Sequence, residues 1–220
     1  MSASYEWLRF THVLLFAYWL GADLGVFLAG GVMSRPGLAV AERNRIRSLL
    51  MDIDLAPRIA LLSIIPVGFQ MALWWGAPLP PVVVDVIWVL SLAWVVMALV
   101  IHFGHARAPI GVLLRVDLVC RVAMLAGFSW LAWWQWQLPE SRVPDWLLMK
   151  FVVVAAIVVD GMVLRVYSGQ WRLAIERFAA GDQAGGERLL KVRRRKAAIT
   201  ALIMWALVAC AAFLGVAKPF

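Results

Sequence analysis

Two side chains carry chemistry that their apolar neighbours do not explain. His12 lies within the apolar run 7–33 and Lys150 within the run 145–167. A neutral imidazole is a common ligand for haem iron. A lysine amine ligates a metal once burial has removed its proton, and holds an anionic group while it keeps it. His12 follows Trp7 by five residues and Lys150 follows Trp146 by four. At the helical rise of 1.5 Å per residue, the two basic groups lie roughly 7 Å and 6 Å below their tryptophans, at one level on two helices. Trp19 is two turns below His12 on the same face, with Phe16 between them, and such a face suits a planar macrocycle. Gln70, in the outer half of a second helix, is placed to add a hydrogen bond. The structural alternatives are a packing histidine bonded to a carbonyl and a lysine that snorkels to the headgroups.

A second set of ionisable residues lies deeper along the same runs: Asp23, His102, Asp117, Arg121, Asp160 and Arg165. An ionisable group inside a membrane span costs about 2.5–3.5 kcal/mol on the insertion scale, so each calls for a partner or a role. Acids and bases here can pair across helices as a structural cluster, or form a proton path or a pocket for an anion open to the cytoplasm. His105 stands beside this set at the end of the third span. Cys120 and Met124, four apart on one helix face, are soft ligands of the kind Cu(I) takes, and equally ordinary packing residues. No zinc-protease, phosphate-loop or serine-hydrolase motif occurs.

The elements that position these residues follow from composition. The chain has 220 residues, 64% of them hydrophobic and 15% charged, with a mean hydropathy of +0.84. A soluble domain is nearer 45–50% apolar and 25% charged, and a chain this short has too little interior to hide the excess. A soluble globule, a disordered chain and a nucleic-acid-binding domain are excluded; an all-α polytopic membrane protein remains. Six spans are expected, at 7–33, 57–75, 82–104, 111–138, 145–167 and 196–216, in one bundle domain. Gly76-Ala77-Pro78-Leu79-Pro80-Pro81 breaks the second from the third. The net charge of +8 concentrates in three expected loops: Arg35 to Arg58, Arg107 to Arg115, and Arg172 to Lys196. These loops are therefore cytoplasmic and both termini face outward. The run Arg193-Arg194-Arg195-Lys196 is expected to flank a span against anionic lipid. Most of the 13 tryptophans fall at outer ends of spans as an interfacial belt. Gly21-Ala22-Asp23-Leu24-Gly25 and Ala29-Gly30-Gly31 indicate close helix packing. The first span lacks a basic leader and a cleavage site, and is expected to be retained.

His12-Val-Leu-Leu-Phe-Ala-Tyr-Trp19-Leu-Gly21 resembles the first span of the bacterial membrane-bound protoporphyrinogen oxidases of the HemJ type, which belong with the copper-resistance CopD-like membrane proteins. Trp146-Leu-Leu-Met-Lys150-Phe-Val-Val-Val is similar to the family's W-L-x-x-K-x-x-x-V helix start, and Val216-Ala217-Lys218-Pro219-Phe220 resembles its K-P-F ending. Met51 to Pro57 is a looser match. The resemblance implies b-type haem with His12 as ligand, Lys150 in the same site, and oxidation of a porphyrinogen with electrons passed to a membrane acceptor such as a quinone. It implies a multi-pass protein of the bacterial inner membrane, with a homo-oligomer as a possible state. This sequence departs from the pattern in its third and fourth spans, which stand between the matched segments, and in lacking an R-x-x-N-E-x-P stretch before the last helix. The other functions weighed are a copper-handling or small-solute membrane protein without redox chemistry, and a structural subunit of a membrane complex.

Overall fold

A computed structural model describes residues 3–104, 110–138 and 143–219. His105, Arg107, Glu140, Arg142 and Phe220 lie outside the described residues. The described chain is helical and contains no strand: α1 Ala3–Met33, α2 Val40–Ala72 with a short 3-10 turn Leu73–Trp75, α3 Pro81–Phe103, α4 Ile110–Gln137, α5 Asp145–Gly169, α6 Trp171–Ala179 and α7 Gln183–Ala217. The helices α1, α2, α3, α4, α5 and α7 pack in chain order, and α7 closes against α1.

Four helical stretches are long and apolar enough to cross a bilayer: Ala3–Met33, Pro81–Phe103, Asp145–Ala179 (α5 and α6 together) and Gln183–Ala217. The protein is thus a helical membrane protein. Its surface agrees with this, since α3 buries only Val84 and Ser91 and leaves Val89, Leu90 and Leu92 each more than 60% exposed. Such a face is stable against lipid and not against water. The other two long helices are more polar. Helix α4 carries Arg115, Asp117 and Arg121, and the charge-free part of α2 is confined to 59–72.

Boundaries differ most where the sequence suggests basic loops. Residues 40–56 and 183–195, expected as loop, are the first halves of α2 and α7. With 33 residues in α2 and 35 in α7, these helices are about 50 Å long, against a hydrocarbon core of about 30 Å. The surplus is their charged N-terminal part, and together with α6 it builds a polar layer beyond the inner ends of α1, α3 and α5. Helix α6 buries Trp171, Ala174 and Phe178, at helical spacing, and turns Arg172 and Arg177 outward.

Arg43 locks this layer. It is 1% exposed, although its sequence context suggests a loop charge. Its guanidinium donates to the Met33 carbonyl at 2.8 Å, the Leu38 carbonyl at 3.2 Å and Glu187 Oε1 at 2.6 Å, and lies 4.5 Å from the Phe178 ring centroid. One side chain thereby satisfies a terminal carbonyl of α1 and ties it to α6 and α7. Arg194, from the expected lipid-facing run, is also partly inward: it donates to the Phe27 carbonyl at 2.9 Å over the Phe27 ring. The small residues of α1 do permit close approach, since a Cβ at Gly25 would lie 3.2 Å from Ile53 and one at Gly30 3.2 Å from Trp171.

Helix α2 passes through two prolines, Pro57 and Pro66. Pro66 has no N–H for the Leu62 carbonyl, and Ser91 Oγ of α3 donates to that carbonyl instead. In lipid this is a requirement, because water cannot supply the missing bond. Ser91→Ala is expected to lower unfolding stability in detergent by about 1–3 kcal/mol, whereas Ser91→Thr retains most of it. Arg43→Ala is expected to cost about 1–3 kcal/mol, since it leaves the buried Met33 carbonyl without its donor; a thermal melt within 1 °C of the parent would contradict this role.

Candidate functional site

The half of the bundle that holds the N-terminal parts of α1 and α5 contains His12 and Lys150. His12 comes from α1 and Lys150 from α5, and Lys150 is the charged group whose field reaches the imidazole. Each lies on a glycine of another helix. A Cβ at Gly68 of α2 would stand 3.3 Å from His12 Cε1, and one at Gly215 of α7 would stand 2.9 Å from Lys150 Nζ. Four helices therefore meet here, and the two glycines provide the room for the two side chains. His12 Nδ1 is buried and has no hydrogen-bond partner. Among the described residues, no carboxylate is within ion-pair distance of the Lys150 amine. His12 Nδ1 and the Lys150 amine are thus both without a partner among the described residues, and an imidazole nitrogen is a donor of the kind haem iron takes.

The site has a roof. Trp75 and Trp146 meet edge to face with centroids 5.4 Å apart. Trp75 Nε1 donates to Tyr5 Oη at 3.1 Å, and Lys218 Nζ sits 3.8 Å from the Trp75 centroid and 5.6 Å from that of Trp146. Burial, and behind it the charge of Arg9, hold the Lys218 amine below the usual lysine range. Two roof residues share helix faces with the site, Tyr5 with His12 at i+7 and Trp146 with Lys150 at i+4, and Lys218 follows the end of α7 in a left-handed turn. Trp75 and Trp146 are thus distinct from the exposed belt of Trp7, Trp130, Trp133 and Trp136, all more than half exposed. Beneath His12, Phe16 and Trp19 pack against the cluster of Ile157, Met204, Val208 and Ala211. Gln70 is half-buried on α2.

The deeper residues separate into distinct groups. Asp23 accepts from Trp205 Nε1 at 2.6 Å. His102 Nε2 lies 3.2 Å from Asp52 Oδ1. Asp117, 4% exposed, accepts from Trp94 Nε1 at 2.9 Å, Arg121 Nε at 3.1 Å and Arg165 Nη1. Asp160 Oδ2 is buried without a partner and forms no ion pair with the arginines among the described residues. Met124 packs against the outer core, and Cys120 is half-buried one turn before it. Among the described residues, no three His, Cys, Asp or Glu side chains converge as a metal site.

Sequence reasoning missed Gly68, Gly215, Trp94, Trp205 and the inner role of Arg58. A lone glycine or tryptophan in an apolar run gives no signal of the helix it will face. Arg58 reads as a loop charge until α2 is seen to be continuous through it.

An unpaired amine in this position is a cost to folding. Lys150→Met is therefore expected to raise unfolding stability in detergent by about 1–3 kcal/mol; a clear fall in melting temperature would show that Lys150 serves packing alone. Comparison with protein-family models, curated proteins and solved structures returns no match to this chain.

Proposed function

We propose that the protein is a b-type haem-binding redox protein of the bacterial inner membrane, with its site near the outer side at His12 and Lys150. The observation that carries the reading is the buried, unpartnered Nδ1 of His12 beside an amine that has no counter-ion. When bound, haem supplies a one-electron change at iron. His12 would supply a nitrogen ligand to the iron, its ring resting against Gly68. Lys150 serves either as a second nitrogen donor or as the cation that anchors the carboxylates of a porphyrin-type substrate. Phe16 and Trp19 support the imidazole-bearing face from below, and Gln70 is placed to hydrogen-bond a bound ring. The indole roof keeps water from the site, which strengthens each polar contact inside it.

Six crossings with both termini outside complete the proposal. Helices α2 and α4 then cross with their charges near the inner side, and the basic N-terminal parts of α2 and α7 lie in the cytoplasm. Electrons leave to a quinone or another membrane acceptor. The resemblance to the HemJ and CopD-like group supports this reading, because it selects His12, Trp19 and Lys150 by motif.

Purified protein is expected to show a Soret band and a reduced-minus-oxidised difference spectrum typical of b-type haem. His12→Ala is expected to remove both while leaving a folded, monodisperse protein. Lys150→Met distinguishes the two roles: a shifted band identifies a ligand, and an unshifted band with lost porphyrinogen oxidation identifies a substrate anchor. Protein without a Soret band after expression with ample haem would overturn the proposal.

A further inference from the structure

A second polar site lies at the opposite end of the bundle, where α3 and α5 finish. A small cavity of about 20 Å3 is bounded by the guanidiniums of Arg58, Arg121 and Arg165, by Asp117, and by the apolar walls Leu62 and Ala98. Four helices supply these groups: α2, α3, α4 and α5. Arg58 Nε pairs with Asp54 at 2.7 Å, and Arg121 and Arg165 share Asp117. Three cations against two carboxylates leave one positive charge in excess. Asp160, five residues before Arg165, does not line the cavity. The guanidiniums are held in place, since Arg121 lies over the Trp94 ring at 5.7 Å and Asp117 is almost fully buried. Arg58 and Arg165 have side chains one-third exposed, so the cavity opens outward on its arginine side.

We infer that this cavity is an anion site for a phosphate group. A void of that size takes one or two oxygen atoms and not a whole solute; a single water needs about 10–15 Å3 on the same measure. A phosphate therefore enters by its edge, with its remainder outside. The guanidinium nitrogens that Asp54 and Asp117 leave free can donate to the phosphate's oxygens. The depth fits a lipid headgroup: Arg165 is four residues from the end of α5, and basic pockets between helices at the cytoplasmic face bind anionic headgroups. A free phosphate or phosphomonoester offers the same oxygens. The inference does not depend on haem binding at the other end.

The test uses full-length protein in a neutral detergent, titrated separately with phosphatidylglycerol, phosphatidylcholine and inorganic phosphate. Melting temperature and native mass spectrometry provide the readouts. Phosphatidylglycerol, or inorganic phosphate, is expected to raise the melting temperature and to saturate. A response to the lipid alone identifies a headgroup as the source, and a response to both identifies the phosphate itself. Arg58→Gln is expected to weaken the response about tenfold, the loss of one charge-assisted contact. Arg172→Gln, the same charge change on exposed α6, is expected to leave it unaltered. Should Arg58→Gln fold poorly, retention of phosphatidylglycerol over phosphatidylcholine by the parent protein in native mass spectra decides the matter. A response to inorganic phosphate alone identifies a free phosphate as the source; the inference is overturned by equal, measurable responses to the two lipids, by no response to either phosphatidylglycerol or inorganic phosphate, or by an equal loss in Arg58→Gln and Arg172→Gln.

Discussion

A charge carried into hydrocarbon must be answered by another charge, by a set of dipoles, or by contact with water. Most of the fold's polar architecture meets that demand. Asp117 receives three donors from three helices. Asp23 receives an indole N–H from α7, and the Leu62 carbonyl freed by Pro66 receives the Ser91 hydroxyl. Arg43 reaches two carbonyls and a carboxylate. In each case the answer comes from a different helix or loop, so satisfying the charge also fixes which elements adjoin. The hydrophobic effect gives helices little reason to choose one neighbour over another in lipid; these polar pairs provide the choice.

A few groups depart from that pattern, among them Asp160, Gln135 and the pair His12 and Lys150. His12 and Lys150 stand where four helices meet, and neither has a partner that satisfies it. The surrounding residues act to preserve the arrangement. The two glycines leave space for the side chains, and the Trp75–Trp146 pair with Lys218 above it closes the outer end. The aromatic stack of Phe69, Phe128 and Phe151, with neighbouring centroids 5.4–6.3 Å apart, fills the bundle between α2, α4 and α5. The inner end has the opposite character. There the charges are paired, partly exposed and open. The molecule thus holds unpaired groups at one end and, at the other, paired charges with one guanidinium in excess.

Much of this was legible in the residues. The helical class followed from the apolar fraction alone, and the shared level of His12 and Lys150 followed from their distances to Trp7 and Trp146, because a rise of 1.5 Å per residue converts spacing into depth. Neighbour choice was not legible. That Gly68 faces His12 and Gly215 faces Lys150 depends on pairings between helices far apart in sequence, which no local pattern encodes. The basic stretches 40–56 and 183–195 resemble loops because their apolar content falls, yet arginine, lysine, leucine and alanine are good helix formers, and the weak formers Gly185 and Gly186 fall in the first turn of α7. Arg43 is the sharpest case. Its neighbours Arg45 and Arg47 are ordinary surface charges, and only the arrival of Glu187 and Phe178 from the far end of the chain buries it.

The unanswered amine constrains what the proposed site can receive. A charged Lys150 needs an anion, and the described protein provides none within reach, so the anion must come with the ligand. A neutral Lys150 needs no anion, but then carries a lone pair that an electrophile such as a metal can accept. Both forms require the partner at the same place, between α1 and α5 beneath the indole roof, and neither is met by an apolar solute or by a neighbouring helix. If Lys150 were retained for assembly alone, methionine would fill the same volume against Gly215 without the desolvation cost. A cation placed where packing does not use it is the physical reason for proposing a ligand at this end of the bundle, whereas the paired charges at the other end already serve the architecture.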